Sequence, residues 1–92
     1  MNEKKILVLA RRDHTEAMRV AAGLTIFGHA VRLVFMNKPV AETDENAKQA
    51  ELLELSDIAP ETTVRAMAGD LPFLDAPALG AAIAASDRVI DI

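Results

Sequence analysis

Arg11, Arg12 and His14 lie within four residues of one another, directly after the apolar run Ile6 to Ala10 and directly before a segment with helical spacing. Two guanidinium groups and an imidazole at such a place suit a small anion, because a helix start directs unpaired N–H groups outward and neighbouring cations add charge. Asn37 and Lys38 follow the second apolar run, and Asp70 follows a third. The candidate ligand-binding set is therefore Arg11, Arg12, His14, Asn37, Lys38 and Asp70. The same stretch carries an argument against an anion. Asp13 stands where a helix cap belongs, and a carboxylate there takes up N–H groups and repels phosphate. No glycine lets backbone approach a pyrophosphate, and neither G-x-G-x-x-G nor G-x-x-x-x-G-K-[ST] occurs. The plainer reading of the basic residues is ordinary solvated loop charge.

Other chemistries are excluded more firmly. The chain contains no cysteine, which removes disulfides, thiolate metal sites, thiol nucleophiles and persulfide chemistry together. His14 and His29 are separated by a whole helix, so they cannot share a metal, and no metal site or cofactor is expected. Ser56 and Ser86 lie near helix ends without a nucleophile motif, and Glu42, Asp44, Glu45, Glu51 and Glu54 read as a solvated helix face and loop. A phosphoacceptor receiver domain would need paired acids after its first strand and a lysine on a late strand. Here two arginines and one acid follow the first strand, and no lysine occurs after Lys48. Fourteen acids against ten bases give a formal charge of −4, the wrong sign for binding phosphate backbones, so nucleic acid is not an expected partner. With no signal-peptide pattern and no apolar run of membrane-spanning length, the expectation is a soluble cytoplasmic protein.

Ninety-two residues, about half of them hydrophobic, suffice for one domain spanning residues 1–92. With three phenylalanines and no Trp or Tyr its core is thin, and association would help stabilise it. The run Ile6 to Ala10 is short and branched, as befits a strand covered on both faces, and Lys4 and Lys5 mark its solvated start. Asp13 and Glu16 have the spacing of a capping box that opens a helix ending at Gly28. Ala17, Val20, Ala21, Leu24 and Phe27 fall on one face of that helix, and Met18, Ala22 and Ile26 form a second apolar stripe, so two neighbours are expected. A strand over Val31 to Met36, a loop at Pro39 and a helix from about Asp44 to Leu55 follow. The third strand is expected over Thr62 to Met67, a third helix over Ala76 to Ser86 with Leu79, Ala82 and Ile83 toward the sheet, and a last strand over Arg88 to Ile92. Strands alternating with helices predict parallel pairing in a small three-layer α/β/α sandwich of about four strands. Ligands in such sheets bind beyond the carboxyl ends of the strands, which places the rim at 10–14, 37–39 and 68–70.

Met67, Leu71, Phe73 and Leu74 form an apolar group outside regular elements, a contact patch if exposed and core if folded under.

The opening Lys5 to Leu9, the segment Gly28 to Phe35 with its G-H-x-V-x-L-F form, and the closing Leu79 to Ile90 together resemble the DsrE/DsrF-like family of sulfur-relay proteins. The resemblance implies an oligomeric cytoplasmic protein whose active relatives carry sulfur as a cysteine persulfide near the end of a central strand. The matching stretch here is Arg65 to Ala68, where no thiol stands, and methionine sulfur cannot form a persulfide. This chain also shows four strands where the family usually has five. Two functions are therefore expected in competition. One is a non-catalytic DsrE-like subunit or interaction module, associating with itself or with a family partner. The other is a small-anion or nucleotide-binding domain, possibly an enzyme, using the rim.

Overall fold

The computed structural model describes residues 3–92. The chain alternates β1 (Lys5–Ala10), α1 (His14–Ile26), β2 (Ala30–Phe35), α2 (Asp44–Leu55), β3 (Glu61–Thr62), a 3-10 turn (Arg65–Met67), α3 (Ala76–Ala84) and β4 (Arg88–Asp91). The four strands form one all-parallel sheet in the order β3-β2-β1-β4. The expected α/β sandwich is thus the observed one.

Ile6 through Ala10 are all buried because β1 is an interior strand of the sheet, flanked by β2 and β4 and covered by helices on both faces. Alternation divides their side chains. Ile6, Val8 and Ala10 join Leu33 and Phe35 against Ala17, Met18, Ala21 and Ala22 of α1 and Leu53 of α2. Leu7, Leu9 and Val34 point the other way, toward Ala82 and Leu79 of α3. The chain steps outward from β1 to β2 to β3 and then returns to the far edge as β4, so α1 and α2 share one face and α3 takes the other, as right-handed crossovers require. The ends of β1 and β4 are tied at Asp87, whose N–H donates to the Lys5 carbonyl and whose carboxylate accepts the Lys5 N–H, both at 2.8 Å.

Each α-helix begins on a side-chain cap: Asp13 accepts from the Glu16 N–H, Thr43 from the Asn46 N–H and Asp75 from the Ala78 N–H. The first ends with Gly28 at φ +88°, a left-handed stop that costs glycine little. Among the described residues no helix is long and apolar enough to cross a membrane.

Three expectations are corrected. The third strand stops after Thr62, and 65–67 form a 3-10 turn. The Thr62 hydroxyl donates to the Phe35 carbonyl (3.1 Å) and accepts the Val64 N–H (2.9 Å), so a side chain takes a donor that a longer ladder would need. On its outer side Thr62 pairs in parallel with Phe73, a single bridge where a fifth strand would lie. Second, Phe27 and Ile26 leave the core: the helix ends at Ile26, and both side chains are exposed there. Third, Ile83 does not face the sheet but is exposed, and Ala82 is the α3 residue that is buried.

Candidate functional site

The rim at the carboxyl ends of β1 and β2 is held together by hydrogen bonds across sequence. Asn37, in the left-handed region at φ +74° that asparagine tolerates, donates from Nδ2 to the Arg11 carbonyl at 2.8 Å. His14 is 6 % exposed and lies edge-on to Phe35, with ring centroids 5.3 Å apart. Its Nε2 is 3.1 Å from the Met36 carbonyl, and since a carbonyl only accepts, Nε2 carries the proton. Nδ1 makes no hydrogen bond with the described residues and is not sealed from solvent.

The backbone N–H groups of Arg11, Arg12 and Asp13 all converge on the Ile92 carbonyl, at 3.1, 2.8 and 3.2 Å. Arg11 forms an ion pair with Asp91 at 2.8 Å, and Arg12 reaches the same carboxylate only at 3.9 Å. The end of β4 therefore occupies the donors of the β1–α1 loop. At the first turn of α1 the Glu16 N–H is in turn taken by the Asp13 carboxylate.

There a cleft of about 250 Å³ opens, bounded by Arg12, Asp13, His14 and Thr15 on one side and by Lys38 and Asn46 on the other. Asn46 is buried and fixed from both ends: its Nδ2 donates to the Ala41 carbonyl at 2.8 Å, and its Oδ1 accepts the Thr15 hydroxyl. A second, more acidic cleft shares Asp13 and Thr15 and continues past Glu16, Arg19, Glu45 and Gln49.

Of the six residues expected at a ligand site, Arg12, His14 and Lys38 meet in the first cleft. Arg11 is turned to Asp91, Asn37 buttresses the Arg11 backbone, and Asp70 stands exposed in the turn after the 3-10 segment. Thr15 and Asn46 are the additions. Nothing in the sequence pairs them, since they are 31 residues apart on two helices.

Met67, Leu71, Phe73 and Leu74 do not form one patch. Met67 and Leu71 pack against the α1/α2 side of the sheet and Leu74 against the α3 side, while Phe73 closes the β3 edge under the Arg65 guanidinium, 5.2 Å from its ring centroid. The largest exposed apolar side chains are elsewhere. Ile26, Phe27 and Leu55 are 81 %, 70 % and 79 % exposed, with Leu52 beside them on α2. Helices α1 and α2 pack together and both run antiparallel to the strands, so these residues share the end of the molecule opposite the rim. Sequence periodicity assigned Phe27 and Ile26 to buried stripes and left Leu52 and Leu55 to one side of α2.

The site and fold define a small parallel α/β sandwich with a polar rim cleft. No family model, curated protein or solved structure matches the chain.

Proposed function

We propose that this chain is a non-catalytic, self-associating DsrE-like subunit of the cytoplasm, working as an interaction module and accessory to sulfur relay through a thiol that a partner supplies. The observation that carries this reading is the exposure of Ile26, Phe27 and Leu55 at the shared end of α1 and α2. Large apolar side chains exposed at one end of a small domain favour a contact surface, and a core without Trp or Tyr has the most to gain from covering them. The absence of cysteine supports the non-catalytic part, and the segments Lys5 to Leu9, Gly28 to Phe35 and Leu79 to Ile90 support the family part. The rim holds no thiol, and its Thr15 hydroxyl is tied to the Asn46 amide.

The test is substitution at the patch. Phe27→Glu and Leu55→Glu remove apolar surface from an exposed place and leave the core intact. Each should reduce the assembly to monomer, as read by light scattering after size exclusion, with the melting temperature of the monomer preserved. An unchanged size in both variants would refute the assignment of the interface to this end.

A further inference from the structure

We infer that the apolar cavity between α2 and the 3-10 turn is a binding site for a small aromatic ammonium, one ring carrying a short chain that ends in a cation. Helix α1 lies directly on β1 and β2, whereas α2 packs on α1 and stands off the strands. The sheet is also cut short on this side, because β3 stops after Thr62 and the chain turns aside into residues 65–67. A cavity of about 240 Å³ is left. Phe35 and Met18, both deeply buried, line it from the core, Leu53 and Ile58 from α2 and the turn after it, and Met67 and Leu71 from the opposite segment.

Size and lining set the body of the guest. An apolar cavity of roughly 150 Å³ already takes up benzene, so this one has room for a ring and a two-carbon chain. The aromatic ring of Phe35 and the thioethers of Met18 and Met67 favour a ring over a plain alkyl chain. Charge sets its other end. The lining holds two polar side chains, Asn46 and Glu54, and no basic one. Asn46 is spent, since its Nδ2 donates to the Ala41 carbonyl and its Oδ1 accepts the Thr15 hydroxyl. Glu54 is exposed and forms no ion pair among the described residues. A guest that fills the apolar part therefore meets one free carboxylate, which attracts an ammonium and repels an acid. The inference rests neither on self-association nor on the rim.

The experiment is an amide-resolved NMR titration of the full chain at about pH 7, where an alkylamine is charged, with 2-phenylethylamine, 2-phenylethanol and 3-phenylpropionate. The three share a ring and differ in charge. The ammonium should move the amides of Ala50, Glu54, Ile58, Met67 and Leu71 and bind about three- to tenfold more tightly than the carboxylate, with the alcohol between them. Ala50 lines the cavity from an exposed position of α2, so Ala50→Leu narrows the space and leaves the core alone. That variant should stay folded by its melting curve and bind all three probes several-fold more weakly. Glu54→Gln should still bind the ring and bring the three probes to within about twofold of one another. Absence of shifts at these residues, an unchanged affinity in Ala50→Leu, a carboxylate bound as tightly as the ammonium, or unchanged discrimination in Glu54→Gln would each overturn the inference. Shifts at the same residues on dilution of the protein without any probe would place a second copy of the chain in the cavity and overturn it as well.

Discussion

His14 at the first turn of α1 donates its Nε2–H to the Met36 carbonyl just past β2, at 3.1 Å, so the rim is stapled across 22 residues of sequence. His29 makes the complementary choice at the other end of the helix, where its Nδ1 accepts the Lys4 N–H at 3.2 Å. Both arrangements fix the proton of the neutral ring on Nε2. Long-range proton–nitrogen correlation spectra above pH 8 should show both histidines in the Nε2–H tautomer, and an Nδ1–H form of His14 would contradict the staple.

Thr62 is fully buried, and its hydroxyl serves Phe35 and Val64 at once. Thr62→Val keeps the volume but leaves the Val64 N–H without its partner, which should cost about 1 to 3 kcal/mol in urea denaturation. Thr62→Ser retains the hydroxyl and should lose less. Equal losses would assign the role of this residue to its methyl group.

The caps on α1 and α3 are the same chemistry at two places: Asp13 with Glu16 at 3.0 Å and Asp75 with Ala78 at 2.9 Å. Replacing either by alanine should destabilise the protein by about 1 kcal/mol, and by asparagine only slightly. Thermal melts of the four variants check this, and an alanine variant as stable as its asparagine counterpart would refute the cap.

Arg32 and Glu61 join β2 to β3 through two parallel hydrogen bonds of 3.0 and 2.9 Å. The hydrogen bond to Glu61 raises the Arg32 guanidinium above its ordinary value, against a smaller opposing effect of burial and with help from the carboxylate charge. Arg32 is half exposed, so the pair is screened, and a double-mutant cycle with alanine should give a coupling of about 0.5 to 1 kcal/mol that shrinks in molar salt. A coupling indifferent to salt would mean that packing, not charge, connects the strands.

What could be read from sequence follows from how local the determining physics is. Ile6 to Ala10 announces a doubly covered strand because burial on both faces removes every polar position, and Asp13 and Asp75 announce helix starts because a cap acts within three residues. The end of β3 is not legible, since Thr62, Thr63 and Val64 have strand-forming side chains and the Thr62 hydroxyl bonds to the distant Phe35 carbonyl and the Val64 N–H. In the rim cleft, Arg12, His14 and Lys38 were visible as charges next to strand ends, whereas the Thr15–Asn46 contact depends on how α1 meets α2. The exposure of Phe27 and Leu55 is not legible for the same reason: periodicity tells which way a side chain points around a helix, not whether a neighbouring element covers it.

Self-association through the α1/α2 end is tested most directly by sedimentation velocity on the unmodified chain over a dilution series reaching into the micromolar range. A discrete oligomer that dissociates on dilution, and that Phe27→Glu abolishes, is the expected result. A strict monomer throughout that range would contradict it.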